Sequence, residues 1–441
     1  MRLDRFYRRL VDGCKARFIL PGFCSPSSLR KRKNKQMHIG FLSPEYILPG
    51  QFYGGLATYI HKVAHALVLR SHRVTVFVLS NQDRVWNDGQ VKIIEVKVVQ
   101  TPLVKLPGRL VDLINTWLPA WDQIRSSRRM AHFVWKEHRV DPLDILQTSS
   151  YEVPGFTLRK NGRIPLVCRI SSYTPVFRSA YGRQRTPAEY ISDWLEIRQV
   201  IDADAAFSPS LFSISIFERL EGFKPDLLRT PIDLVKIEPD VSRYEKELSG
   251  LQYLLFFGTL SKMKGVDIIA DAIPGILKSH PEIHFVFVGR DDGMPKGVKM
   301  TDLILSRNGS QENRIHFIPS VPKAQLYPII AHAVAVLMPS RVDNYPNACL
   351  EAQMLGIPVI GSRNSSLDEM IEDGKTGFLV ENGSSKDLGN VAIKLLDMDT
   401  GAYQAMQQAN LALVDSLGGE DRLNQLITYY KEVIQRFNGK K

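Results

Sequence analysis

Short apolar runs ending in Gly, Ser or Pro alternate with longer amphipathic stretches from residue 38 almost to the C-terminus, and no other feature restricts the fold as much. That alternation is the pattern of a parallel sheet covered by helices. In the first half the expected strands are His38 to Ser43, Arg73 to Leu79, Val91 to Val98, Ile145 to Thr148, Pro165 to Ile170 and Ala205 to Ser208. Helices are expected over Ala57 to Arg70, Ala188 to Val200 and Leu211 to Leu220. A Pro- and charge-rich segment, Thr230 to Ser249, interrupts the rhythm and reads as a connection between domains. A second series follows, with strands over Tyr253 to Gly258, Ile283 to Gly289, Ile315 to Ile318, Val334 to Met338 and Pro358 to Ile360. Its helices are expected over Gly265 to Lys278, Lys323 to His332, Ala348 to Leu355 and Lys386 to Leu396. The chain has 441 residues, more than the roughly 250 to 300 at which a single core stops growing. The expectation is therefore an α/β protein of two Rossmann-like, doubly wound domains, residues 37–235 and 236–412, facing a central cleft. A tail over 1–36 precedes them and a C-terminal helix over 413–441 follows; its amphipathic part, Asp421 to Phe437, could cover either domain.

The net charge of +11 is unevenly spread, because residues 1–36 carry +9 and the remaining residues only +2. The basic pI describes the tail and argues against a nucleic-acid-binding body. Cys14, Cys24, Cys168 and Cys349 show no ligand spacing, which predicts reduced thiols in a cytoplasmic protein. No uninterrupted apolar stretch reaches the roughly 18 residues of a membrane span.

Three strand-to-helix turns carry candidate chemistry. Pro339 to Ala352 leads into a helix starting near Asn347, whose free amides at Asn347, Ala348 and Cys349 suit a phosphate. Glu351, about one turn in, would sit beside that anion and bond vicinal hydroxyls such as those of ribose. Taken alone, Asp343 and Glu351 read as ordinary carboxylates of a loop and a helix start; the surrounding strand-loop-helix context reverses that reading. The second turn, Phe256 to Gly265, contains Gly258, Thr259, Lys262 and Lys264. The third, Tyr53-Gly54-Gly55-Leu56-Ala57, follows the first strand, and its glycines allow close backbone approach to a ligand.

Together these segments resemble the retaining glycosyltransferases of the GT-B fold, of the family 4-like, bacterial sugar-transferase type. In that family two acidic residues separated by seven others bond the donor sugar and the ribose, a spacing that Asp343 and Glu351 hold. The first is an Asp where the family usually has Glu. The resemblance assigns Lys264 to the donor diphosphate, and it sets Thr259 where the family has a second cation, leaving Lys262 as a substitute to be tested. It also gives Gly54 and Gly55 the role of closing over the diphosphate. Ser71 to Val74, Thr230 to Asp233 and Glu369 to Val380 resemble further family landmarks in their usual order. One family feature is absent: Arg169 to Pro175 holds no His where many members have one.

The implied reaction moves a sugar from a UDP-, GDP- or ADP-sugar to a glycan or lipid-linked glycan with retention. Lys264 and Asp343 are the catalytic candidates, with no metal and no cofactor beyond the nucleotide sugar. The Asp202-Ala203-Asp204 and Asp397-Met398-Asp399 pairs imitate a metal-binding pattern but sit before a strand and at a helix end. The alternatives are a non-catalytic nucleotide-sugar-binding subunit and a nucleotide-sugar epimerase on the same fold. In the tail, Leu3, Phe6, Tyr7, Leu10, Val11, Cys14 and Phe18 recur at helical steps among arginines, which predicts a basic amphipathic helix for an anionic membrane surface. A disordered basic extension is the competing reading.

Overall fold

The computed structural model describes residues 36–47, 54–102, 109–181, 185–231, 237–293 and 297–439. The basic tail helix, Tyr53 of the Gly-Gly segment, and Ile232 and Asp233 lie outside the described residues.

The first sheet contains β1 (His38–Ser43), β2 (Arg73–Ser80), β3 (Arg84–Asp88), β4 (Val91–Lys97), β5 (Ile145–Ser149), β6 (Leu166–Arg169), β7 (Ala205–Ser208) and β8 (Asp226–Leu227). Their order is β3-β4-β2-β1-β5-β6-β7-β8. All neighbours run parallel except β3, which returns antiparallel on β4 as an edge hairpin. The second domain adds β9 (Tyr253–Phe257), β10 (Leu260–Ser261), β11 (His284–Val288), β12 (Asp291–Gly293), β13 (Ile315–Ile318), β14 (Ala335–Met338), β15 (Val359–Ser362) and β16 (Gly377–Val380). Its main sheet has the order β13-β11-β9-β14-β15-β16, all parallel, while β10 pairs with β12 alone.

Both orders are doubly wound. The chain starts in the middle, builds outward to one side, then returns to build outward on the other. The direction switches between β1 and β5 in the first sheet and between β9 and β14 in the second. At such a point the two connecting loops diverge and leave a crevice at the strand C-terminal ends.

Burial on both faces explains why these strands are apolar along their length. In β9 every residue is buried: Leu254 and Phe256 face the helix Val266–Ser279 through Ile269, Ile273 and Ile276, while Leu255 and Phe257 face Val336 and Leu350. In the first domain Ile39 and Phe41 pack with Ile60, Val63 and Leu67 of the helix Gly55–Leu69. Phe77 and Leu146 pack with Met130 and Val134 of the helix Arg109–Val140. Each such buried aliphatic side chain contributes about 1.5 to 3 kcal/mol.

The helix Thr400–Leu417 packs on the second domain through Met406, Val414 and Leu417, so that domain's last helix runs past the boundary expected at residue 412. The chain then turns at Gly418, whose φ of 49° lies in the left-handed region. The final helix, Gly419–Asn438, covers the first domain instead, burying Leu423, Leu426 and Tyr430 in its core. The Tyr430 hydroxyl donates to Gln147 Oε1 at 2.6 Å, fixing the helix against β5. No helix among the described residues is long and apolar enough to cross a membrane.

Candidate functional site

The loops leaving β9 and β14 emerge at the switch point of the second sheet and touch. Gly265, at φ 72°, starts the helix Val266–Ser279, and a Cβ there would lie 2.0 Å from the Pro339 carbonyl oxygen, so only glycine fits. Arg341 N donates to the Met263 carbonyl at 2.9 Å. Its guanidinium forks onto Asp267 at 2.7 and 2.8 Å, locking the second loop to the first turn of that helix.

This zipper brings two of the expected residues together. Lys264 Nζ donates to Asp343 Oδ2 at 2.6 Å. Ser340 Oγ donates to the same oxygen at 3.2 Å, and Asn344 N donates to Oδ1 at 3.0 Å. Asp343 is only 6% exposed, and these bonds supply the partners that a buried carboxylate needs. Lys262 is half-buried and its carbonyl accepts from the Arg341 guanidinium. Gly258, at φ 132°, is exposed, and Thr259 beside it is half-buried.

Asn344, the residue after Asp343, ties the loop to the first domain. Its Nδ2 donates to the Ile170 and Ser171 carbonyls at 3.0 and 2.9 Å. Its Oδ1 accepts from Ser210 Oγ at 2.5 Å and Ser213 Oγ at 2.9 Å. A second tie is Glu369, which accepts from the amides of Leu211 and Phe212 and pairs with Arg229. The end of β6, where the family His is absent, thus lies against the acidic loop and offers it backbone carbonyls.

The helix Asn347–Met354 follows. Asn347 and Ala348 are half-buried at its start, and a Cβ on Gly55 would lie 3.7 Å from Asn347 Nδ2, so the Gly-Gly segment faces this helix from the other domain. The Cys349 amide donates to the Pro346 carbonyl at 3.1 Å, which corrects its expected place among the free amides. Cys349 itself is buried, and burial holds its thiol protonated. Glu351 is 8% exposed, and its Oε1 accepts from Lys323 Nζ, at the start of the helix Lys323–Ala331. Lys323 was not foreseen; the signal available was a Lys after Pro322 at a helix start on the strand C-terminal edge.

Glu45 was also not foreseen. Its carboxylate reaches the first turn of the helix Gly55–Leu69, accepting from Ala57 N at 3.1 Å. Burial raises its pKa, while the Ala57 and Gly54 amides and the Arg290 charge pull it down. The Gly54 amide expected to meet a diphosphate therefore already meets a carboxyl group of the chain itself.

The two Asp-x-Asp pairs serve helix and strand ends. Asp202 caps the helix Pro187–Ile201 among Arg159, Lys160 and Arg198, and Asp204 accepts from Leu166 N at 2.9 Å. Asp399 accepts from Ala402 N at the start of the helix Thr400–Leu417.

Comparison with known proteins accords with this geometry. Residues 241–411 match the family model for glycosyl transferases group 1, and residues 54–230 match a glycosyl transferase 4-like domain. A D-inositol 3-phosphate glycosyltransferase of Acidothermus cellulolyticus is 26% identical over 215 residues. That match covers 46% of this chain and 44% of the relative, so it spans less than half the relative's length. Among solved structures, a sucrose-phosphate synthase from Thermosynechococcus elongatus superposes with a TM-score of 0.73 at 17% identity, covering 91% of this chain and 100% of that one. HepE of Anabaena, solved with UDP-glucose, gives a TM-score of 0.65 at 20% identity over 90% of this chain and 100% of that one. At such identities the structural likeness speaks to the fold alone.

Proposed function

Because the chain belongs to the GT-B glycosyltransferases, with a 4-like first half and a group 1 second half, we propose that it moves a hexose-type sugar from a nucleoside diphosphate to a hydroxyl of a glycan or lipid-linked glycan, with retention and without a catalytic metal. The observation that carries this reading is the 2.6 Å pair of Lys264 and Asp343 at the switch point of the second sheet, with Asp343 in the loop that leads to Asn347, which Gly55 faces.

Departure of a nucleoside diphosphate concentrates negative charge on its phosphate oxygens. Lys264 is held where it can neutralise that charge, aided by the amides of Asn347 and Ala348. Asp343 positions the ammonium and offers its carboxylate to the donor sugar's hydroxyls, while Glu351 serves the ribose. The motif sequences offer no obvious nucleophile or base, and same-face attack is the reading that fits them, with the departing phosphate oxygen taking the acceptor proton. A donor phosphate reaching the Gly54 amide has to share it with Glu45 or displace the carboxylate. Incubation with UDP-, GDP- and ADP-sugars, followed by NMR of the product's anomeric proton, tests the proposal; an inverted product or no turnover with any donor refutes it.

Thr259 favours a second reading, a nucleotide-sugar-binding subunit without turnover, since a cation usual to the family is missing there. Measured hydrolysis or transfer excludes it. For the basic sequence of residues 1–36 we assign an anionic membrane surface, each basic residue contributing about 1 kcal/mol near it. Removal of those residues should abolish co-sedimentation with anionic vesicles while nucleotide binding persists; equal co-sedimentation refutes the assignment.

A further inference from the structure

The helix Gly55–Leu69 carries His61 and His65 four residues apart, a spacing that sets two imidazoles on one helical face. Both direct Nε2 at the same oxygen, Oδ2 of Asp88, from 3.3 and 3.0 Å. Asp88 ends β3, held at the tip of the β3–β4 hairpin by Gly89 at φ 59°. The hydroxyl of Tyr46, itself 1% exposed, donates to that same oxygen at 3.0 Å. Three groups converge on one carboxylate oxygen, which has two lone pairs to offer. The imidazole centroids are 4.4 Å apart, so two protonated rings would repel at close range.

We propose that His61, His65 and Asp88 form a binding site for a divalent d-block cation, with Zn²⁺ the best fit, held by two imidazole nitrogens and one carboxylate oxygen and leaving a fourth position to water. Ligand bonds of about 2.0 to 2.1 Å in a tetrahedron set neighbouring ligand atoms roughly 3.3 to 3.4 Å apart. The 3.0 and 3.3 Å separations are already near that edge, and all three ligand atoms fall within 4.8 Å of one another. Small side-chain movements suffice to admit the ion. Its charge resolves the crowding at Oδ2, because both imidazoles then turn lone pairs to the metal. Nitrogen donors select against Mg²⁺ and Ca²⁺, which prefer all-oxygen sets. Side-chain exposures of 27 to 30% leave the group open to ions from solvent. Tyr46 supplies the bond behind the ligating carboxylate that orients it. The site joins the hairpin tip, the helix that follows Gly54-Gly55, and the residue next to Glu45, and it is separate from the proposed sugar-transfer chemistry.

The test uses the full chain stripped with a chelator and titrated with Zn²⁺ against a chromophoric competitor, then with Co²⁺ to read the visible spectrum. One tight equivalent of Zn²⁺ and a tetrahedral Co²⁺ band are expected. Both should vanish in the His61→Ala/His65→Ala double variant. Tyr46→Phe, which keeps the ring and loses only the hydroxyl, should weaken Zn²⁺ binding about 10- to 100-fold while retaining one site. Should the double variant not fold, His65→Asn replaces it and should lose the tetrahedral band. The proposal is overturned if the wild type takes up no tight equivalent, or if these histidine variants bind as the wild type does. No nucleotide sugar enters the assay, so its failure leaves the proposed transfer reaction untouched.

Discussion

Lys264 and Asp343 form a 2.6 Å ion pair between loops that leave the neighbouring strands β9 and β14, so the cation nearest the expected leaving group is positioned by the acid expected to hold the sugar. If the ammonium neutralises charge that builds only as the diphosphate departs, its removal should act on turnover more than on donor affinity. Lys264→Ala is predicted to lower kcat about 10²- to 10³-fold with a smaller change in KM, and wild-type activity is predicted to persist in EDTA at temperatures where the protein stays folded. Steady-state kinetics with the active donor decides both points. Wild-type kcat in the variant removes Lys264 from the mechanism, and complete EDTA loss restored by Mg²⁺ or Mn²⁺ removes the metal-free reading.

Glu351 tests the other end of the donor. Its carboxylate is nearly buried and held through one oxygen by Lys323. Losing a charged acceptor for the ribose hydroxyls should weaken nucleotide binding by about 1.5 to 3 kcal/mol in Glu351→Ala. Calorimetry with UDP, GDP and ADP measures it, and unchanged affinity for the nucleotide that the wild type binds best rules the assignment out.

Much of this was readable from residue order. The ends of β1, β7 and β13 fall where the apolar runs predicted. The three motif turns were found because strand-loop-helix transitions leave a local signature of Gly, Pro and helix starts. The missing elements lack one. The edge strand β3 is mostly exposed and polar, and the helix Arg109–Val140 contains Pro119 and no clean apolar stripe. The helix Thr400–Leu417 buries only Met406 and Asn410 fully, too little for a period to show. The hidden site residues share another cause: Asn344 meets Ser210 across 134 positions and Lys323 meets Glu351 across 28, and no local pattern announces a partner brought by the fold.

Asn344 is where that long-range information is densest. Its amide bonds Ile170, Ser171, Ser210 and Ser213 of the first domain, one residue from Asp343. Asn344→Ala strips partners from these partly buried groups and should cost about 1 to 3 kcal/mol of stability. The loop carrying Asp343 loses its tie as well, so kcat/KM should fall while Lys264→Ala added on top costs less than it does alone. Denaturant unfolding and the double-variant cycle test this, and full additivity would show that Asn344 does not position the pair.

Glu196 sets a pH limit on the stability of the first domain. It is buried on the helix Pro187–Ile201, accepting from Glu152 N at 3.2 Å and from Thr174 Oγ1 in the segment after β6. Burial raises its pKa from 4.5 to about 8; Thr174 and the Glu152 amide oppose the shift, the Glu152 charge adds to it, and Arg178 opposes it. With the folded pKa above the unfolded one, the folded state holds the proton more tightly. The group's contribution to stability is complete below pH 4.5 and is lost as pH rises to about 8. Within that window the loss runs at about 1.4 kcal/mol per pH unit for this one group. Glu196→Gln keeps the shape and cannot ionise, so the stability of the wild type relative to this variant should decline from pH 5 to pH 8 and then level off. Melting curves for both proteins across that range provide the measurement. Parallel curves would mean that Glu196 does not carry its proton in the folded protein.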